Sequence, residues 1–212
     1  MKTAKILILG ALIVFLSACN KDLHKTSQLA DDSSKNYESP QLAQAIKALK
    51  ETCASGNIED CYKVGALYAK GERDVHWYSK ASYYYKTACE QGHLLACTYL
   101  GGLYEEGLGV RQSFQVAFRF YQAACSKGEA DSCNNLARMV ERGILVSKDV
   151  AYAANLYEKA CIGGSATACV NLGRMYYKGR GVGKNKLTAK SFFGQSCDMG
   201  LQEGCEMYKS VD

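Results

Sequence analysis

The sequence predicts an all-α solenoid, in which antiparallel pairs of helices are stacked along one axis. Ten of the eleven cysteines form two series with a constant spacing of 36 residues: Cys53, Cys89, Cys125, Cys161, Cys197 and Cys61, Cys97, Cys133, Cys169, Cys205. Two glycine series share this period: Gly56, Gly92, Gly128, Gly164, Gly200 and Gly71, Gly107, Gly143, Gly179. Such a period is typical of folds in which each repeat is one helix pair that packs only against its neighbours.

The first helix of each unit is predicted at about 57–70, 93–106, 129–142 and 165–178. In the first unit, Cys61, Val64 and Tyr68 recur with helical spacing and form one apolar stripe. A glycine then follows, and glycine is the usual residue at a helix end with positive φ.

The second helix is predicted at about 77–90, 114–127, 150–162 and 186–198. It carries a small residue that lets helices approach closely, at Ala81, Ala117, Ala153 and Ala189. Its aromatic runs, such as Tyr83–Tyr85, keep the phase of the repeat and are therefore expected in the core. Residues 41–52 and 201–209 are predicted to form terminal cap helices. The repeat domain thus covers 41–212, with four 36-residue units.

The first 18 residues have the pattern of a signal peptide. Lys2 and Lys5 precede an apolar run at 6–16, which is too short to span a bilayer as a mature helix. The run ends in Leu16-Ser17-Ala18-Cys19, which resembles the lipobox of bacterial lipoproteins; a plain secretory signal with a chance cysteine is the alternative. Cys19 is thus predicted to carry lipid, followed by a flexible tether at 19–40.

This signal predicts an exported protein anchored to a bacterial membrane. Asn20, rather than aspartate, follows the predicted lipidation site. In a cell that uses an aspartate retention signal, this favours the outer membrane, facing the periplasm or the cell surface. Removal of Lys2 and Lys5 lowers the formal charge from +5 to +3, which is too weak to predict nucleic acid as a partner.

The spacing of the cysteines predicts local disulfides, Cys53–Cys61 and its four equivalents. On one unbroken helix, residues eight apart are separated by about 12 Å, whereas a disulfide needs Cα atoms within about 7 Å. The glycine between each pair breaks the helix and folds the chain back. The other periodic pairing, Cys61–Cys89, strands Cys53 and Cys205 at opposite ends and is less favoured. Five disulfides also require an oxidising compartment.

One unit shows a family resemblance through the following residues: Cys89, Gly92, Cys97, Leu100-Gly101, Leu103-Tyr104, Gly107, Gly109-Val110, Ala117, Tyr121 and Ala124-Cys125. The pattern resembles the Sel-one-like repeat, and the cysteine spacing is similar to that of the cysteine-rich Hcp family, secreted bacterial proteins commonly labelled beta-lactamases. The resemblance implies a right-handed superhelix related to tetratricopeptide solenoids. Two loops depart from its G-x-G-V pattern, at 71–74 and 143–146, and are expected to differ in shape from the others.

A beta-lactamase has only this resemblance in its favour. No serine is followed by lysine three residues later, and Lys-Thr-Gly is absent. The sequence therefore lacks the motifs of the familiar serine beta-lactamases. Zinc enzymes need several protein ligands, whereas the histidines are only His24, His76 and His93. No metal, cofactor or catalytic residue is predicted.

A binding surface is the better supported prediction. In helical-pair solenoids the first helix of each unit usually lines the inner, concave face. Six polar residues of the third and fourth units lie off the apolar stripe, at equivalent positions: Asn135, Arg138, Arg142, Asn171, Arg174 and Lys178. Asparagine amides can hold a peptide backbone, and arginine pairs with carboxylates. An ordinary solvated helix face is the alternative.

The sequence therefore favours a lipid-anchored scaffold that binds a protein or peptide, over a beta-lactamase. Peptidoglycan peptide is one candidate ligand, because its D-alanyl ends carry carboxylates; a beta-lactam, which mimics those ends, is another. Because Arg138 and Arg174 lie off the apolar stripe, their replacement by alanine is predicted to leave stability within about 0.5 kcal/mol.

Overall fold

The computed structural model describes residues 40–71 and 75–211, all within the compact unit Glu38–Asp212. The predicted signal peptide, nearly all of the predicted tether and the predicted lipidation site at Cys19 lie outside these residues and stay predictions. None of the helices in the described ranges is long and apolar enough to cross a membrane.

The described residues form ten α-helices and no strand. They are α1 (Pro40–Ala54), α2 (Ile58–Lys70), α3 (Val75–Glu90), α4 (Leu94–Glu106), α5 (Phe114–Ser126), α6 (Ala130–Arg142), α7 (Val150–Ile162), α8 (Ala166–Lys178), α9 (Lys186–Asp198) and α10 (Gln202–Ser210). The predicted all-α fold of helix pairs is confirmed, and the predicted helix boundaries agree within two residues.

Equivalent residues start the second helix of three units. The side chains of Ser113, Asp149 and Asn185 each accept a hydrogen bond from the backbone amide three residues further along. A side chain of this kind satisfies one of the amide groups that a helix start leaves unpaired. The boundary of each second helix is therefore encoded by one polar residue.

At the buried centre of each unit, one aromatic ring from the second helix packs against the first helix. Tyr85, Tyr121, Tyr157 and Phe193 are each at most 2% exposed. The ring of Tyr121 packs directly on Gly101, where an added Cβ would lie 2.7 Å from a ring atom. The prediction that the aromatic runs lie in the core is right for these rings and wrong for Tyr83, which is 65% exposed.

Five disulfides join consecutive units, as the local pairing predicted. They are Cys53–Cys61, Cys89–Cys97, Cys125–Cys133, Cys161–Cys169 and Cys197–Cys205. In each pair the Cα atoms are between 4.5 and 4.8 Å apart. Each disulfide therefore fixes the turn between the second helix of one unit and the first helix of the next.

Polar contacts between neighbouring units add to these disulfides. The hydroxyl oxygens of Thr98 and Ser132, which are both buried, lie 2.6 Å apart. In the following unit, the Ser165 hydroxyl donates to Asp131 over 2.6 Å. Because buried hydroxyls are costly without a partner, these contacts favour one arrangement of adjacent units.

The loops after the first helices show which glycines the fold requires. Gly107, Gly143 and Gly179 have φ between 70° and 74°, whereas Gly71 is extended at φ −69°. The expected departure of the first loop is confirmed at this glycine.

The expected departure of the third loop is wrong, because Leu145 has φ 66° and so matches Gly109 at 67° and Gly181 at 70°. The third loop keeps the common backbone shape although leucine disfavours it.

Leu145→Gly is therefore expected to stabilise the protein by about 0.5–1 kcal/mol, because glycine adopts positive φ without strain. The leucine side chain is 55% exposed, so little burial is lost. Urea unfolding would measure the change. Val146→Gly is the matched control, since its φ is not positive, and it should lower stability. A less stable Leu145→Gly protein would contradict the assignment of strain.

Candidate functional site

The first helices of the units share one surface along the array. Helix α4 contacts α6, α6 contacts α8, and α8 contacts α10. The inner face is the surface on these helices and α2 formed by Lys63, Ala66, Lys70, Tyr99, Gly102, Glu106, Asn135, Arg138, Arg142, Asn171, Arg174 and Lys178. None of these twelve residues is buried, so all of them are accessible in part to a ligand.

The structure brings three of the six predicted binding residues together. Asn171, Arg174 and Lys178 line a cleft of about 70 Å³, together with Glu141, Met175 and Arg180. The other three predicted residues, Asn135, Arg138 and Arg142, belong to the preceding unit and do not line this cleft. We use the name cationic cleft for this cleft together with Arg142, which occupies the position on α6 equivalent to Lys178 on α8.

Arg138 has a structural partner that the sequence did not indicate. Its Nη2 donates to Glu105 Oε2 over 2.7 Å, and the Tyr121 hydroxyl donates to the same oxygen over 2.9 Å. The Glu105 side chain is only 10% exposed. Burial, followed by the adjacent Glu105 charge, raises the pKa of Tyr121 far above its usual range. The predicted tolerance of Arg138→Ala is therefore revised, because this substitution leaves a buried carboxylate without its cation.

Two polar side chains of α8 also have partners within the protein. Arg174 forms an ion pair with Glu203 of the closing helix α10. Asn171 Nδ2 donates to Asn134 Oδ1 over 3.0 Å. Asn135 has no side-chain hydrogen bond to another residue in the described ranges. The contacts of Arg174 and Asn171 hold these two side chains of the cationic cleft in one arrangement.

Of the six predicted binding residues, Arg142 and Lys178 are the cations most accessible to a ligand. Both are exposed, and within 40–71 and 75–211 neither has an acidic side chain at ion-pair distance. They occupy equivalent positions in the last turns of α6 and α8. The carbonyl end of a helix favours such cations, and their exposure leaves them accessible to an anion.

Arg180 was missed by the sequence analysis, because it lies in a loop rather than on the first helix. Its Nη2 lies 2.8 Å from Glu141 Oε1, and Glu141 Oε2 also accepts from the Tyr157 hydroxyl over 2.9 Å. The pair Glu141–Tyr157 repeats Glu105–Tyr121 one unit later. The 36-residue register of these carboxylates and phenols could have indicated a nearby cation.

A larger hollow of about 780 Å³ lies near the ends of α2 and α4, lined by Ala69, Lys70, Gly71, Tyr78, Glu106 and Leu108. Its opposite charges, Lys70 and Glu106, favour neither an anionic nor a cationic ligand. The cationic cleft is therefore the better candidate site.

Several side chains that nucleophilic chemistry could use have structural roles in the described residues. All ten cysteines there are disulfide-bonded. The hydroxyls of Ser132, Ser165 and Ser196 are buried and hydrogen-bonded. Within the described ranges, no group of three or more His, Cys, Asp or Glu side chains could hold a metal ion.

Four consecutive segments of the chain match the profile of the Sel1 repeat, at residues 58–93, 94–129, 130–165 and 166–201. The chain belongs to the Sel1 repeat family. The expected resemblance is thus confirmed, and the protein is a Sel1-repeat helical scaffold. No curated protein sequence matches this chain.

Several solved structures resemble this Sel1 array. A protective antigen present in uropathogenic Escherichia coli strains, with an SLR fold, is 28% identical with TM-score 0.65, over 76% of this chain and 35% of that one. A Sel1 repeat protein from Oxalobacter formigenes is 22% identical with TM-score 0.72, over 79% and 66%. Cysteine rich protein B of Helicobacter pylori is 32% identical with TM-score 0.50, over 60% and 92%.

These likenesses differ in what they support. At 22% identity, the Oxalobacter formigenes structure supports the fold alone. This chain spans about a third of the Escherichia coli antigen and about two thirds of the Oxalobacter formigenes protein. The cysteine-rich Helicobacter pylori protein is matched over nearly its whole length, which agrees with the predicted kinship to cysteine-rich repeat proteins.

Proposed function

We propose that this Sel1 array is an exported, lipid-anchored scaffold that binds a peptide segment carrying a carboxylate at the cationic cleft. The observation that carries the proposal is the exposed cation Lys178 beside Asn171 and Arg174 in the cleft, with a second exposed cation, Arg142, at the equivalent end of the contacting helix α6. A carboxylate can accept from two such donors at once, and charge-assisted hydrogen bonds of this kind are the stronger ones.

Peptidoglycan peptide is the ligand we favour for the probe, because its D-alanyl terminus is a free carboxylate on a short, extended chain. The cleft volume of about 70 Å³ suits a terminal group rather than a whole peptide. The remainder of the peptide would lie along the inner face, where Asn135 offers an amide with no hydrogen-bond partner in the described part of the chain.

Anchoring through Cys19 is supported by the lipobox-like sequence and by the five disulfides, which form in oxidising compartments. Cys19→Ala should release the protein into the soluble fraction or leave an unprocessed precursor. A mature-sized, membrane-bound Cys19→Ala protein would contradict anchoring, whatever the result for peptide binding.

The carboxylate site is tested with a fluorescein-labelled pentapeptide ending in D-alanyl-D-alanine, by fluorescence anisotropy. Amidation of its terminus, Arg142→Ala and Lys178→Ala are each expected to weaken binding by about tenfold, the value of one charge-assisted contact. Arg119→Ala is the matched control, because Arg119 is an exposed cation of α5 without an ion pair in the described ranges. Both cleft variants should stay folded, because a cation at a helix end contributes only about 0.3–1 kcal/mol to stability.

Two results would overturn the proposal. One is an affinity that stays unchanged when the peptide terminus is amidated and when either cleft residue is replaced by alanine. The other is turnover of a chromogenic cephalosporin by the purified oxidised protein, shown free of serine beta-lactamases with an active-site serine trap. Turnover would favour the alternative function, a beta-lactamase, which rests only on the resemblance to the Hcp family.

A further inference from the structure

The inner face changes character between its two halves. Where α6 and α8 carry Arg138 and Arg174, the equivalent positions of α2 and α4 are Ala66 and Gly102. Where α6 carries Asn135, α4 carries Tyr99. The first two units therefore present Tyr99 and two small residues among the charged Lys63, Lys70 and Glu106, and the last two units present only amides and cations.

Tyr99 is exposed yet held in place by other rings. It is 47% exposed, and it stacks on Tyr85 with centroids 5.4 Å apart and planes inclined by 15°. Its second neighbour, Tyr62, lies 6.0 Å away and itself stacks on His93 at 4.5 Å. Burial, followed by the nearby Tyr99, raises the pKa of Tyr62 to about 12, so the Tyr62 phenol stays neutral near pH 7. A ring supported in this way loses little freedom when a ligand binds.

Core packing does not require the small residue Gly102, which lies three residues after Tyr99 on α4. An added Cβ at Gly102 would meet only the Tyr121 hydroxyl oxygen, at an ordinary 3.7 Å. At the adjacent Gly101 it would collide with the Tyr121 ring at 2.7 Å. Glycine inside a helix is unfavourable relative to alanine, so Gly102 keeps open a space beside Tyr99 that core packing does not demand.

We propose that Tyr99, with Gly102 and Ala66 as the floor, binds an aromatic side chain of the same peptide whose carboxylate the cationic cleft binds. This inference rests on the proposed function and adds a second binding site for the same ligand. Aromatic side chains gain from stacking on an exposed ring as well as from burial. Helix α4, which carries Tyr99, contacts α6, and α6 contacts α8, which carries Lys178, so one extended chain that crosses α6 can reach both places.

The distance between the two places fixes the spacing in the ligand. Packed helices lie about 8–10 Å apart, so α4 and α8, with α6 between them, are separated by about 16–20 Å. An extended peptide advances about 3.3 Å per residue. The aromatic residue is therefore expected five or six residues before the carboxylate terminus, and a shorter or longer separation should bind more weakly.

The test uses fluorescein-labelled serine–glycine peptides of nine residues with a free carboxyl terminus and one phenylalanine at different distances from it. Phenylalanine at the fifth or sixth residue before the terminus is expected to improve binding by about tenfold over the peptide without it. Tyr99→Ala and Gly102→Leu should remove this gain and leave the affinity of the phenylalanine-free peptide unchanged. Tyr152→Ala is the control, because Tyr152 is 49% exposed but lies on the second helix of its unit, α7.

The outcomes separate this inference from the proposed function. Carboxylate-dependent binding that is indifferent to the phenylalanine position overturns the aromatic subsite and leaves the cationic cleft standing. A phenylalanine gain that survives Tyr99→Ala also overturns it. Binding of a chitin oligosaccharide that Tyr99→Ala abolishes, with no effect of phenylalanine, would make the ring a sugar platform instead. Gly102→Ala, which adds no clash, checks that Gly102→Leu acts through the occupied space and should bind like the wild type.

Discussion

Reduction of the five disulfides is expected to unfold the Sel1 array at room temperature. Each disulfide closes a loop with a sequence separation of 8 residues, and a loop of this size restricts the unfolded chain by about 2–3 kcal/mol. Five of them together are comparable with the whole stability of an ordinary domain, about 5–15 kcal/mol. Helical circular dichroism with and without a phosphine reductant would measure the loss.

Removing the disulfides one at a time should show where each acts. Because each unit packs mainly on its neighbours, loss of the central Cys125–Cys133 bond should destabilise the main unfolding transition. Loss of Cys197–Cys205 should affect mainly the end, since α10 packs chiefly on α8 and α9. Double alanine variants of each pair are the appropriate proteins. A fully reduced protein with unchanged helical signal and unfolding midpoint would contradict the expectation.

Glu105→Ala is expected to lower the free energy of unfolding by about 2–4 kcal/mol. The carboxylate accepts from both the Arg138 guanidinium and the buried Tyr121 hydroxyl. Its removal leaves the hydroxyl without a partner inside the core. Arg138 keeps part of its solvation, because its side chain is 33% exposed, so the loss stays below that of a fully buried ion pair. Urea denaturation would measure it.

The neighbouring Glu106 provides the control for Glu105→Ala. It is exposed, and Glu106→Ala should leave stability within about 0.5 kcal/mol. Tyr121→Phe removes one donor but keeps the ion pair, and should cost about 1 kcal/mol. If Glu105→Ala were no more harmful than Glu106→Ala, the buried contact would not contribute to stability.

The fold was predictable because it depends on features that repeat. Cysteine, glycine and alanine recur every 36 residues, and each marks a bond, a turn or a close approach that every unit needs. The shape of the third loop was not predictable, since Leu145 takes the positive φ that glycine adopts elsewhere. There, the packing of the surrounding helices outweighs the local preference of the residue.

The candidate site was predictable only in its location. Helical spacing placed Asn171, Arg174 and Lys178 on one face, and the structure brings them to one cleft. The spacing contains no information on partners in other units, so it missed the Glu105 pairing with Arg138. It also assigned Tyr99 no role, because an exposed tyrosine has no distinctive periodicity.

The contacts between units also bear on how a gene for such an array can change its length. Excision of residues 94–129, a whole number of periods, would leave every cysteine opposite another, because Cys89 would meet Cys133. The same event would place Arg138 beside Ala69 in place of Glu105, and Ser132 beside Tyr62 in place of Thr98. The disulfides would thus still form after unequal recombination. The polar contacts would be lost, because each of them needs two particular units to be neighbours.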